Sequence, residues 1–423
     1  MINHEIKTLK NGLRVVLSEN QNTEAVTILI LVGVGGRYEA DDQKGISHFL
    51  EHLFFKGSKK RPTAFEIAKE LDSLGANSNA FTGEEYTGFY VQTDANDLEK
   101  SLDIISDMFL NPLFNSEEIE REKGVILQET NMYHDMPQAY VQILNQKQMF
   151  GLHPLGFDLV GDQEHIKKIT REDIVNYREN LYSPENTIIV VSGNPKGADW
   201  LEMIEDKFAS TPNNKVHEPV KFDLDQAQTP EKLVQDVRKV DQTHLVLSYF
   251  GIPKTDKRRY ALTILNTLLG GSMSSRLFTE IREKRALAYY VRSNHSAYKD
   301  TGIFSVMAGI EPDKLPETIK IIQKEIKDLV ENGPSDEELK RAKGNIRGSL
   351  AISLEDSFEI GSFLAEELLY ADNIRSIEEI IQSIESVTSE EIKALSGEIF
   401  QKDRMGLSII GPKDYEQDLQ EIL

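Results

Sequence analysis

The chain contains no cysteine in its 423 residues. Disulfides, thiolate metal ligands and cysteine nucleophiles are therefore excluded, which leaves histidine, carboxylate, hydroxyl and cationic side chains for any chemistry. Long apolar runs are also missing. The longest, Ala25 to Gly36, falls short of the ~20 residues that cross a bilayer and reads as a buried strand. The opening Met1-Ile2-Asn3-His4-Glu5 lacks a basic stretch followed by an apolar core, so no secretory signal is expected and the expectation is a cytoplasmic protein with no membrane partner. Basic residues are in deficit: 48 Lys and Arg against 70 Asp and Glu give a net charge of −22. Such a surface repels polyphosphate and argues against nucleic acid as a partner. It tolerates basic peptides, and it equally serves to keep a large protein in solution. No Gly-x-x-x-x-Gly-Lys-Ser/Thr phosphate loop occurs.

What is present is the segment His48-Phe49-Leu50-Glu51-His52. Residues at i and i+4 project from one helical face, so both imidazoles can approach one metal ion while Glu51 stands beside them, in the inverted zincin order His-x-x-Glu-His. A hydrolytic zinc takes three protein ligands and keeps a position for water, so a third ligand must come from elsewhere. The segment Asn115 to Glu129 opens with helix-capping residues and carries Glu122 and Glu129 two turns apart. Residues at i and i+7 share a face, so this helix offers one carboxylate to a metal and a second to its surroundings. The other histidines, His4, His134, His153, His165, His217, His244 and His295, have no paired spacing and read as structural or surface residues.

These residues resemble the pitrilysin and insulin-degrading-enzyme type of zinc metallopeptidase. In that family the third ligand is a glutamate 77 positions after the second motif histidine, and Glu129 stands 77 positions after His52; Glu122 matches the accessory glutamate. Gly33 to Glu39, Gly45-Ile46-Ser47, Phe55-Lys56-Gly57 and Asn79-Ala80-Phe81-Thr82 extend the likeness. The resemblance implies one zinc ion per chain on His48, His52 and Glu129, with Glu51 as general base, and peptide substrates whose backbone pairs with Asn79, Ala80 and Phe81. It further implies that Arg282 and Tyr289, seven positions apart, reach the substrate carbonyl from the second half of the chain. Ala286 departs from the pattern, since related sequences often have glycine there. The length is similar to the short two-domain branch, the bacterial peptidases that resemble mitochondrial processing peptidase, which implies a homodimer and a clam-like chamber. On residue chemistry alone, Glu51 is also readable as a solvated helix carboxylate, Arg282 and Tyr289 as surface pairing and packing, and Asn79-Ala80 as ordinary strand. Two function classes follow: an active zinc endopeptidase or oligopeptidase, and a non-catalytic structural or partner subunit. The second kind typically lacks part of the metal motif or the Arg/Tyr pair, whereas this chain has both.

Internal repetition divides the chain. Glu118-Ile119-Glu120-Arg121-Glu122-Lys123-Gly124 reappears 220 positions later as Glu338-Leu339-Lys340-Arg341-Ala342-Lys343-Gly344, and Thr170 to Ile174 is echoed from Thr388 to Ile392 at an offset of 218. Domains seldom pass ~250 residues, so two are expected: a metal-binding domain over 1–212, a polar, proline-containing linker over 213–232, and a homologous domain over 233–423 that aids substrate binding. Under the repeat Glu122 falls on Ala342, Glu129 on Ser349 and the first motif near Thr263 to Thr267, so the second half has no metal ligands. The fold class expected is α+β, two halves that each carry a largely antiparallel sheet covered by helices. The first strands, Leu13 to Glu19 and Ala25 to Val34, read as a hairpin, and Thr63 with Glu66 reads as a capping box.

Overall fold

Runs of Val, Ile and Leu build two sheets, as β-branched residues favour. The computed structural model describes all residues except 1, 2, 195, 215, 216, 372 and 423, so Lys215 and Val216 of the expected 213–232 linker lie outside the described residues. The strands are β1 (Glu5–Thr8), β2 (Arg14–Glu19), β3 (Ala25–Val32), β4 (Asn77–Thr82), β5 (Thr87–Asp94), β6 (Thr187–Gly193), β7 (Leu233–Val237), β8 (Thr243–Gly251), β9 (Ala288–Ala297), β10 (Gly302–Ile310) and β11 (Met405–Gly411). One sheet has the order β1-β2-β6-β3-β5-β4 and the other β7-β11-β8-β10-β9. Both are antiparallel except where β2 meets β6 and β7 meets β11, which are parallel. The fold is α+β: the order β2-β6-β3-β5-β4 is repeated as β7-β11-β8-β10-β9, and β1 is an added edge strand on the first sheet. One expectation is corrected here. β2 and β3 do not form a hairpin, because the wholly buried β6 inserts between them, parallel to β2 and antiparallel to β3.

Five helices follow in the first part of the chain: α1 (Ile46–Leu53), α2 (Ala64–Ser73), α3 (Leu98–Leu110), α4 (Ser116–Asp135) and α5 (Pro137–Phe150). The capping box expected at Thr63 and Glu66 opens α2. Along β3 the side chains alternate between two apolar clusters. Val26, Ile28, Ile30 and Val32 pack with Phe49, Leu50 and Leu53 of α1 and with α3, whereas Leu29 and Leu31 pack on the opposite face with Ile360, Leu364 and Leu368. A strand buried on both faces needs a near-continuous apolar run, and Ala25 to Gly36 has one, interrupted only by the buried Thr27.

Those last three residues belong to the helix Ser357–Tyr370, far along the chain. The chain divides into two compact units that trade segments: one comprises Met1–Asn131, Phe157–Val220 and Ala351–Ile377, the other Met132–Gly156, Lys221–Leu350 and Glu378–Leu423. In the second unit α5 plays the reciprocal part, with Val141 against Val246, Met307 and Ile410. The two exchanged helices begin 220 residues apart, at Pro137 and Ser357, so the exchange follows the repeat. The contiguous division into 1–212 and 233–423 is thus replaced by units that each borrow a covering helix. The reason is burial: without Ser357–Tyr370, the face formed by Val16, Leu29, Leu31, Ile188 and Val190 would meet water, at about 1.5–3 kcal/mol for each large apolar side chain. No described helix is long and apolar enough to cross a membrane.

Candidate active site and metal centre

The site is built on α1. Phe49, Leu50 and Leu53 are buried in the core, which turns His48, Glu51 and His52 to the other face. The helix begins at Gly45, whose φ of 89° lies in the left-handed region and whose absent Cβ would stand 2.6 Å from the Cα of Gly161. Only glycine fits there. The buried carboxylate of Glu39 accepts from Gly45 N at 2.8 Å and Ser47 N at 2.9 Å, so an acidic group meets the positive end of the helix. Burial nevertheless pushes the Glu39 carboxyl up to about 7.

Helix α4 brings the second set of groups. His48 Nε2 and His52 Nε2 lie 3.2 Å apart, and Glu129 Oε2 lies 3.7 Å from the first and 3.5 Å from the second. A tetrahedral zinc with N and O ligands at about 2.0–2.1 Å separates its ligand atoms by about 3.3 Å, so the three donors fit one such ion. Among the described residues this is the only group of three or more His or carboxylate side chains converging in this way.

Two further contacts orient the donors. Glu122 is buried, with Oε1 3.0 Å from His52 Nδ1 and Oε2 2.9 Å from Lys56 Nζ. Burial opposes its charge, but these two partners outweigh burial and hold its carboxyl below the ordinary range. A carboxylate only accepts, so His52 carries a proton on Nδ1 and turns Nε2 toward Glu129 and His48. Burial first, and His52 second, push His48 down to about 4. At neutral pH its imidazole is uncharged, as a metal ligand must be. His52 is held up at about 9, since the bonds to Glu122 and Glu129 outweigh its burial, and Glu129 is held below the ordinary range chiefly by its bond with His52. Unlike His48, His52 is therefore protonated at neutral pH and gives up its Nε2 proton when a cation is held there.

Glu51 stands one position before His52, and its Oε2 accepts from Thr82 Oγ1 at 2.5 Å. Burial raises its carboxyl above the ordinary range, against the opposing bond from Thr82. Thr82 ends β4, the edge strand of the first sheet. Of the three strand residues expected to bind substrate, Ala80 is buried, Asn79 is exposed, and Phe81 is half-buried. Asn79 Oδ1 accepts from Ala80 N at 2.9 Å.

In the second unit Arg282 lies in a π-helical turn, Phe278–Glu283, and Tyr289 lies on the edge strand β9. The Arg282 guanidinium sits 5.8 Å from the Tyr289 ring and 5.0 Å from that of Phe278. Both residues line a cavity of about 420 Å³ with Gln242 and Glu311, and Tyr289 is 76% exposed. Ala286, between them, has a φ of 50°, where a side chain costs about 1–2 kcal/mol; this is the reason glycine suits the position. Ala342 and Ser349 occupy the helix Asp336–Ser353, and Thr263 to Thr267 the helix Arg259–Leu269, with no ligand among them.

Sequence reasoning left three contributors without a role: Glu39, Lys56 and Thr82. Each falls inside a quoted segment, but only period-two alternation along β4 could have placed Thr82, on the same face as Ala80. Nothing local signals that Glu39 reaches forward to Gly45 or that Lys56 pairs with Glu122.

Comparison with known proteins gives a consistent picture. The signature described as insulinase (peptidase family M16) matches residues 14–163, and that of the peptidase M16 inactive domain matches residues 168–346. The chain is 34% identical to the uncharacterized zinc protease YmxG of Bacillus subtilis, over 96% of this chain and 97% of that protein. It is 33% identical to an uncharacterized zinc protease of Streptomyces coelicolor, over 96% and 89%. The crystal structure of a protease from Helicobacter pylori superposes with a TM-score of 0.91 at 25% identity, covering 97% of this chain and all of that one.

Proposed function

Because the chain belongs to the insulinase family of peptidases, family M16, we propose that it is a zinc-dependent endopeptidase or oligopeptidase that hydrolyses unfolded or short peptides. The observation that carries this reading is the convergence of His48 Nε2, His52 Nε2 and Glu129 Oε2 within 3.2–3.7 Å of one another on α1 and α4, with Glu51 one position from His52. His48, His52 and Glu129 would hold one zinc ion per chain. Zinc bound there supplies a Lewis acid that makes a water acidic near pH ~7 and polarises a carbonyl.

The rest of the chemistry falls to side chains of this chain. Glu51 takes a proton from the attacking water as its oxygen bonds to the peptide carbonyl carbon, and the C–N bond breaks as the same carboxyl returns a proton to the leaving amine. Burial supports the first step, because it raises the Glu51 carboxyl and so strengthens it as a base. Glu122 fixes His52, and Lys56 balances the charge of Glu122. Arg282 and Tyr289 are assigned as donors to the carbonyl oxygen as it gains charge; their mutual contact and the exposure of Tyr289 support the assignment. The unpaired edge of β4 supports recognition of an extended peptide backbone by strand addition, which demands little of sequence. A homodimer, with peptides as the other partner, completes the proposal.

Digestion of a mixed peptide library, read by mass spectrometry, tests the reading. Cleavage that stops with a chelator and returns with zinc is expected. A zinc-loaded chain that leaves the library intact, or cleavage indifferent to chelation, rejects it.

A further inference from the structure

The hydroxyl bonded to Glu51 sits on the very strand whose edge is free. Gly83 N donates to Tyr86 O at 2.8 Å, closing the β4–β5 hairpin, and Thr82 pairs with Thr87 in the next position of the ladder. Antiparallel pairs alternate between those that exchange main-chain bonds and those that do not. The inward-facing residues of β4 are therefore Phe81 and Asn79, and the outward-facing ones are Thr82, Ala80 and Ser78. A second chain of contacts agrees. Gly33 N donates to Asn186 O, which turns Gly33 toward the strand beyond β3 and Val32 toward its partner Thr87 on β5; Thr87 then faces away from β4. So the main-chain groups that face away from β5, toward an added strand, belong to Ser78, Ala80 and Thr82, not to Asn79 and Phe81, and of these Ala80 N is already bonded to Asn79 Oδ1.

Side chains alternate as well. Ala80 packs into the cluster containing Phe49 and Leu50 of α1, and Thr82, two residues on, presents Oγ1 to Glu51 from that same face. Phe81 packs on the opposite face, beside the helix Ser357–Tyr370. Thr82 is thus a single residue with its hydroxyl on the general base and its peptide groups on the free edge.

We propose that Thr82 is a positioning residue: its hydroxyl fixes Oε2 of Glu51 and leaves Oε1 for the water, and its outward main chain ties that orientation to the strand on which substrate pairs. The inference rests on the peptidase reading above. It differs from a packing role, in which the β-branched shape of Thr82 matters and its oxygen does not.

The experiment uses the full-length zinc-loaded chain with Thr82→Val, which keeps the shape, and Thr82→Ser, which keeps the hydroxyl. Assayed on a fluorogenic peptide, Thr82→Val should lose about 10–100-fold in kcat, the range typical when a group orienting a reactive side chain is removed, with zinc content and KM unchanged. Thr82→Ser should restore most of it. Crystal structures of the zinc-loaded Thr82→Val protein add a readout independent of turnover: the Glu51 carboxylate should leave its wild-type position while His48, His52 and Glu129 stay in place. Wild-type kcat in Thr82→Val, or an unmoved Glu51 carboxylate in its crystals, overturns the proposal. Were the wild-type chain itself inactive toward every peptide, the peptidase reading would fall, and the crystallographic comparison would still decide whether Thr82 positions Glu51.

Discussion

The two units share a five-strand order and the same borrowed helical cover, yet among the described residues only one gathers a group of side chains that could hold a metal. In the first, β2-β6-β3-β5-β4 carries α1 with His48 and His52, and α4 supplies Glu122 and Glu129. In the second, β7-β11-β8-β10-β9 carries the helix Arg259–Leu269, and the helix Asp336–Ser353 presents Ala342 and Ser349 where the first unit has its two glutamates. Scaffold and chemistry are therefore separable: the sheet fixes where two helices cross, and four side chains decide whether a metal can bind there. Freed of ligands, the second unit instead places Arg282 and Tyr289 together at its edge strand.

The largest effect that can break this comparison is on Glu51, which the second unit lacks. Glu51→Gln keeps the size and both imidazoles but removes the base, so kcat should fall by about 10²–10⁴-fold with zinc content unchanged. Full activity in this variant would reject the assigned role. The contribution assigned to the second unit is smaller: Tyr289→Phe deletes one hydroxyl donor and should cost roughly 100-fold in turnover, again with zinc retained. An unaltered kcat would reduce the second unit to a structural companion.

The convergence of His48, His52 and Glu129 was legible in the sequence because its signals are local. His48, Glu51 and His52 fall on one turn, and Glu122 and Glu129 on one helix, so helical periodicity alone puts each set on a common face; the resemblance supplied which glutamate goes with which role. The repeat was legible for the same reason, as a fixed offset. What periodicity cannot carry is pairing over long separations. Nothing in Leu13 to Val34 announces that β6, about 160 residues on, will divide the expected hairpin. The exchanged helices were missed because their apolar faces match a sheet made by the other half of the chain, so each looks unpartnered within its own half. Glu39 was missed as a helix cap because it lies six residues before the backbone group it meets.

Stability measurements sharpen the comparison further. Leu364 is fully buried against the first sheet although it lies in the second half of the sequence. Leu364→Ala should destabilise the first unit by about 3–4 kcal/mol in chemical denaturation, and a fragment of residues 1–212 should fail to fold cooperatively for want of the same helix. A stable, cooperative fragment would contradict the exchange. The Glu39 effect is smaller and depends on pH. Its carboxyl is raised from an ordinary 4.5 to about 7 by burial, so the protonated form favours the folded state. That contribution is fully present below pH 4.5 and is lost as pH rises through about 7. Relative to Glu39→Gln, which stays neutral, the wild-type chain should lose at most about 3 kcal/mol across this window. Parallel stability curves for the two proteins would show that Glu39 is not held in the raised state.

The claim that one unit binds metal and the other does not is tested most directly by elemental analysis of the zinc-reconstituted full chain after dialysis. One zinc per chain is predicted, lost in His48→Ala and in Glu129→Ala and retained in Ser349→Ala. Two zinc ions per chain, none at all, or a full complement in His48→Ala would contradict the account.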